Sequence, residues 1–134
     1  MYPLLGESHN LKIIAENLFA RLRTQLYGAD CHVFSYDMKV RIESMNAFYY
    51  PEVSVVKDFQ DRETYFKTRP CLIAEVISPI TERIDRNEKF FNYRQIPSLE
   101  EYILVHQSEM KVEIYRKAYQ NNWLLETLTQ DGIL

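Results

Sequence analysis

Glu75 is the residue with the greatest chemical consequence in this sequence. It interrupts Cys71-Leu72-Ile73-Ala74-Glu75-Val76-Ile77, a run that is otherwise apolar on both faces, as a central strand covered on both sides would be. An unpaired carboxylate is expensive to bury, so this one requires a cation, a strong donor or a place at the exposed end of the strand. A metal ligand or a general base would satisfy that requirement. So would a structural glutamate held in a salt bridge. A second acid, Glu52, follows Pro51 at the start of the apolar run Val53-Ser54-Val55-Val56. Two neighbouring strands carrying one acid each can direct both carboxylates at one hard cation. Mg²⁺ suits such a pair, because water and phosphate oxygens complete its octahedron. His9, His32 and His106 are scattered without zinc spacing.

The segment after Glu75 supplies a third component. Asp85, Lys89 and Tyr93 stand at i, i+4 and i+8 and share one face of a helix. Phe90 and Phe91 flank the lysine and are expected to anchor that helix to the sheet. Lys89 could then reach over the sheet toward Glu75, stabilise a phosphorane-like negative charge or position a water. The competing reading is a solvated Asp85–Lys89 pair of little energetic value. Arg83, Arg86, Lys89 and Arg94 make this the most basic stretch of the chain, a strip that could track phosphates. Glu82, Asp85 and Glu88 are interleaved with it.

The elements that must position these residues follow from periodicity. Leu11, Ile13, Ile14, Leu18, Phe19, Leu22 and Leu26 recur at steps of three and four, predicting a helix over His9–Leu26 with Ser8 as N-cap and Gly28 as its stop. His32–Tyr36, Lys39–Glu43 and Tyr49–Val56 read as strands, the last with Pro51 at its edge or start. Lys57–Arg69 reads as a loop or frayed helix. Beyond the central strand, Ser78-Pro79-Ile80-Thr81 is a break. A second helix is expected from Ile84 to about Gln95, with Asp85 and Glu88 as a capping box if it begins at Asp85. Glu101–Val105 and Val112–Arg116 form a hairpin, and Trp123–Leu128 a further strand. This order predicts an α/β or α+β domain, a mixed sheet with helices packed on it.

A chain of 134 residues fits one domain and can bury a substantial core. The net charge of −3 argues against a protein that coats nucleic acid through bulk electrostatics, while leaving room for a basic strip beside an acidic metal centre. Cys31 and Cys71 lack CxxC spacing and read as reduced thiols. No apolar run has the length of a membrane span and no signal pattern opens the sequence, so a soluble, cytoplasmic protein is expected. Ten Tyr and seven Phe suit a β-rich core or an oligomer, and a homodimer is expected.

Together, Tyr49-Tyr50-Pro51-Glu52-Val53, Pro70-Cys71-Leu72-Ile73-Ala74-Glu75-Val76-Ile77-Ser78-Pro79-Ile80-Thr81, and Asp85, Lys89 and Tyr93 resemble the Uma-type restriction endonuclease family, which is similar to PD-(D/E)XK nucleases. The resemblance extends to the early His9-plus-helix segment and to the later hairpin with Trp123. It implies a restriction-endonuclease-like mixed β-sheet flanked by helices, one nuclease-like domain over residues 1–134. It also implies a metal-dependent endonuclease that hydrolyses phosphodiester bonds of DNA with Mg²⁺, or Mn²⁺ as a substitute. By the same resemblance Glu52 and Glu75 are the metal-binding acids and Lys89 the catalytic lysine. Asp85, Tyr93 and Arg86 support them or contact nucleic acid. Ile77 fills the position two after Glu75 where the superfamily's lysine usually stands, so the lysine is displaced to the following helix. Glu52 replaces the usual Asp, and both termini look short for the family. A nuclease fold that has lost catalysis and serves as a binding or interaction module is the alternative, and a structural oligomer is the third.

Overall fold

The computed structural model describes residues 3–57 and 59–129, with side chains from residue 12 onward except at 58 and 85. The chain runs α1 (Pro3–Gln25), β1 (His32–Ser35), β2 (Lys39–Ile42), β3 (Ala47–Tyr49), β4 (Val53–Val56), β5 (Phe66–Lys67) and β6 (Pro70–Ile77). A π-helical stretch (Ile84–Lys89) then runs directly into α2 (Phe90–Tyr93), followed by β7 (Glu101–His106), β8 (Val112–Lys117) and β9 (Trp123–Leu128). Six strands form one sheet in the order β1-β4-β6-β7-β8-β9, and β3-β2-β5 form a second. The large sheet is antiparallel except where β6 pairs parallel with β7.

Strand β6 occupies the interior of the large sheet, as its two-sided apolar pattern requires. Strand alternation sends Ile73, Glu75 and Ile77 to one face and Ala74 and Val76 to the other. The first face carries the core. There Ile73, Ile77, Tyr102 and Leu104 of the large sheet meet Val40 and Ile42 of the small sheet, together with Phe90 and Tyr93. α1 packs against β1, β4 and β6. Phe90 stacks on Tyr102 with ring centroids 4.9 Å apart and meets Trp123 edge-on at 5.4 Å.

Several boundaries differ from the sequence expectation. α1 starts at Pro3, five residues before Ser8, because proline is tolerated in the first turn, where its missing N–H has no partner to lose. The helix stops near Gly28, whose φ of +85° lies in the left-handed region. The stretch Tyr49–Val56 is not one strand. Pro51 has no N–H to give a ladder, and the chain passes there from β3 in the small sheet to β4 in the large one. The helical run opens at Ile84, before Asp85, and is preceded by a turn that Ser78 and Thr81 close on each other. The Ser78 N–H donates to Thr81 Oγ1 at 3.1 Å, and the Thr81 N–H to Ser78 Oγ at 3.3 Å. The loop 57–69 contains β5, which pairs parallel with β2. Buried Asp61 fastens that loop by accepting the backbone N–H groups of Thr68 and Arg69 at 3.0 and 2.6 Å. Both cysteines are unpaired, and burial pushes the Cys71 thiol up.

Only one of the two phenylalanines anchors the helix. Phe90 is buried, whereas Phe91 is 60% exposed. Phe90→Ala is therefore expected to cost about 3–5 kcal/mol in denaturant unfolding, and Phe91→Ala no more than about 0.5 kcal/mol.

Candidate active site

Glu75 is 2% exposed, and three donors replace the water it has lost. Val53 opposes Ala74 across β4 and β6, so Glu52 stands one step further, beside Glu75. Because Pro51 turns the chain there, the Glu52 N–H donates to Glu75 Oε1 at 3.1 Å. Oε2 accepts the Tyr93 hydroxyl at 3.2 Å and lies 3.6 Å from Lys89 Nζ. Tyr93 is itself held by ring contacts with Tyr49 at 5.3 Å and Tyr102 at 5.6 Å. Asn92 ties the same helix to the small sheet by donating to the Tyr49 hydroxyl at 2.6 Å. The Pro51 crossing and the second helix thus converge on one carboxylate of β6.

Of the residues singled out in the sequence, Glu75, Lys89 and Tyr93 meet through their side chains, and Glu52 joins them through its backbone. The Glu52 side chain borders a cleft of about 260 Å³ shared with Lys12, Glu16, Phe19, Ser35 and Tyr36. Lys12 and Glu16 escape a reading of the sequence because they sit on the polar side of an amphipathic helix, where a solvated face has the same pattern. The Asp85 and His9 side chains lie outside the described residues.

The basic residues around Lys89 are divided among different partners. Arg86 donates to the buried carboxylate of Glu113 and, at 2.9 Å, to Glu82. Burial opposes its charge, but the hydrogen bonds it donates to Glu113 and Glu82 outweigh that and raise its pKa above the ordinary arginine value. Arg94 lies over the Phe90 ring at 4.7 Å. A single phosphate-tracking strip over 83–94 is therefore broken into separate contacts. Sequence gave no sign of Glu113, which alternation in β8 alone would have marked as an ordinary strand acid.

The donor chemistry bears on metal. Among the described residues, no group of three or more His, Cys, Asp or Glu is arranged to hold an ion. Glu75 on β6 and Glu52 just before β4 are both hard oxygen donors. A two-carboxylate set fits an ion that draws its remaining ligands from water and phosphate, as Mg²⁺ and Mn²⁺ do. It does not fit a zinc site, which needs a fuller set of nitrogen or sulfur ligands.

Comparison with known proteins places this chain in a family. Residues 2–133 match the Uma2 family, described as "Putative restriction endonuclease". The chain belongs to the Uma2 family. Two Synechocystis relatives, the uncharacterized proteins slr1290 and sll1609, are each 36% identical to it. The alignments cover 93% and 94% of this chain, and 66% and 73% of those proteins. A crystal structure described as a putative nuclease belonging to DUF820, from Anabaena variabilis, superposes with a TM-score of 0.74 at 14% identity. That match covers 93% of this chain and 70% of the other, and shows the same α/β fold with its mixed sheet. The chain spans just under two thirds of the length of the first of the Synechocystis relatives. No helix among its described residues is long and apolar enough to cross a membrane.

Because Glu113 is buried and Arg86 is its hydrogen-bonded cation, Arg86→Met should act mainly on stability. A loss of about 3 kcal/mol is expected by thermal or urea unfolding, with Glu113→Gln relieving part of it in the double variant.

Proposed function

We propose that this protein is a metal-dependent endonuclease that hydrolyses phosphodiester bonds of DNA. The observation that carries the reading is the convergence of Lys89, Tyr93 and the Glu52 backbone on a buried Glu75 carboxylate in a Uma2-family chain. In this reading Glu75 and Glu52 would hold Mg²⁺ or Mn²⁺, which when bound activates water and neutralises charge on the phosphate. Lys89 stabilises negative charge building up on the phosphate oxygens. Tyr93 fixes the Glu75 carboxylate, and the Glu52 N–H holds its other oxygen, so the acid presents one orientation. Asp85 and Arg86 support the helix that carries Lys89 or contact the nucleic-acid backbone. We place the protein in the cytoplasm as a homodimer, which light scattering would test by mass.

Nicking of supercoiled plasmid in Mg²⁺ or Mn²⁺ tests the assignment. Lys89→Ala should lower the rate by about 10²–10³-fold, Glu75→Ala should abolish it, and chelation by EDTA should stop the wild type. Equal nicking by all three proteins would overturn the proposal.

A second reading is favoured by one observation. Both oxygens of Glu75 are already satisfied by protein donors, which is what a structural carboxylate requires. In that case the protein is a nuclease-fold binding or interaction module without catalysis. Calorimetric titration with Mn²⁺ separates the two: an active site binds the ion and loses it in Glu52→Ala and Glu75→Ala, and a module binds none.

A further inference from the structure

A second cleft, of about 600 Å³, is lined by residues other than those of the Glu75 cluster. Phe91, Arg94 and Gln95 border it from the end of the second helix. Pro97, Lys117, Asn121 and Trp123 border it from the loops and strand ends opposite. Its composition is unusual for this chain. The protein carries a net charge of −3, yet the lining has two cations and no acid. The cations are positioned by aromatic rings: Arg94 lies over Phe91 at 5.7 Å, and Lys117 Nζ over Trp123 at 5.8 Å. Lys117 donates to the Pro97 carbonyl at 3.0 Å, and an ammonium has three donors to share. Phe91 stays largely exposed there, although its neighbour Phe90 is buried.

The backbone at the rim is also unusual. Gln120 and Asn121 adopt φ values of 59° and 63°, in the left-handed region that side chains other than glycine seldom occupy. This turn sets Asn121 in the lining of the cleft together with Gln95, whose Oε1 accepts from Ser44 at 3.1 Å and whose amide N–H groups are donors. Aromatic faces for stacking, cations for phosphate and amides for base edges are what recognition of an unpaired nucleotide requires.

We infer that the cleft between the end of α2 and the start of β9 holds an unpaired nucleotide, its base stacked on Phe91 or Trp123 and its phosphate held by Arg94 and Lys117. The inference rests on the nucleic-acid reading of the protein and adds a holding site built from residues other than those of the cleavage centre. An unpaired base could come from a single-stranded segment of a substrate or from a free nucleotide. The cleft has the same chemistry for both.

Trp123 is the single tryptophan of the chain, so its fluorescence reports on this cleft alone. The full chain is titrated in EDTA with a single-stranded oligothymidylate, with a duplex of equal length and with dAMP. EDTA prevents cleavage, so an inactive enzyme still gives a reading. Saturable quenching by the single strand and little by the duplex is the expected result, with Arg94→Gln and Lys117→Gln each weakening binding about tenfold. Quenching by dAMP at matching concentrations would also support the site and assign its occupant to a free nucleotide. Trp123→Phe, followed by the anisotropy of a labelled oligonucleotide, should retain most of the binding, because a second aromatic ring still stacks. The inference is overturned if neither nucleic acid nor dAMP quenches Trp123. It is also overturned if the two charge variants bind as well as wild type, or if quenching follows protein concentration alone.

Discussion

The burial of one negative charge organises much of this molecule. Glu75 sits in a strand that the hydrophobic effect drives into the centre of the sheet, and its charge cannot be left there without donors. The backbone N–H of Glu52, the Tyr93 hydroxyl and the Lys89 ammonium supply them. The first comes from the small-sheet crossing and the other two from the second helix, so the crossing, the central strand and that helix are tied to one another through a single carboxylate. A hydrocarbon at position 75 would pack in the strand but would give those elements no shared polar reference.

The fold was legible in the sequence where hydrophobic period and punctuation agree. The two-sided apolar run around Glu75 became the interior strand β6, and the later hairpin and Trp123 strand appear where alternation placed them. What could not be read was anything decided by three-dimensional neighbours. Pro51 shows a break in the sequence, but not that the chain changes sheets there. Asp85 and Glu88 satisfy the capping pattern only for a helix that begins at Asp85, and the helical run opens one residue earlier, at Ile84, after the Ser78–Thr81 turn. The i, i+4, i+8 argument for Asp85, Lys89 and Tyr93 assumed a regular α-helix. The π-helical stretch over Ile84–Lys89 carries an extra residue per turn and changes the phase before Lys89.

The candidate site was legible to a similar degree. Glu75 announced itself through its apolar surroundings, and Lys89 and Tyr93 through their helical spacing, since both lie beyond most of the irregular turn. Glu52 was found as an acid, but its backbone contact with Glu75 was hidden, because a main-chain N–H has no signature in a sequence. Arg86 looked like part of a basic strip, and its partner Glu113 stands 27 positions away in β8. Charge patterns along the chain suggest solvent-facing surfaces. Only the fold shows which of those charges have already been matched.

The crossing at Pro51 has a consequence for motion. The Glu52 N–H stands between the two sheets, since β3 leads directly into the crossing and β4 pairs with β6 just beyond it. The small sheet has three short strands, one of them of two residues, and so belongs to the part of the fold with the fewest hydrogen bonds to lose. If that sheet opens locally while the six-stranded sheet stays intact, Glu75 loses a donor before the protein loses its fold. The carboxylate would then be set free to change partners by a local fluctuation, and the stability of a peripheral layer would become the clock of the centre.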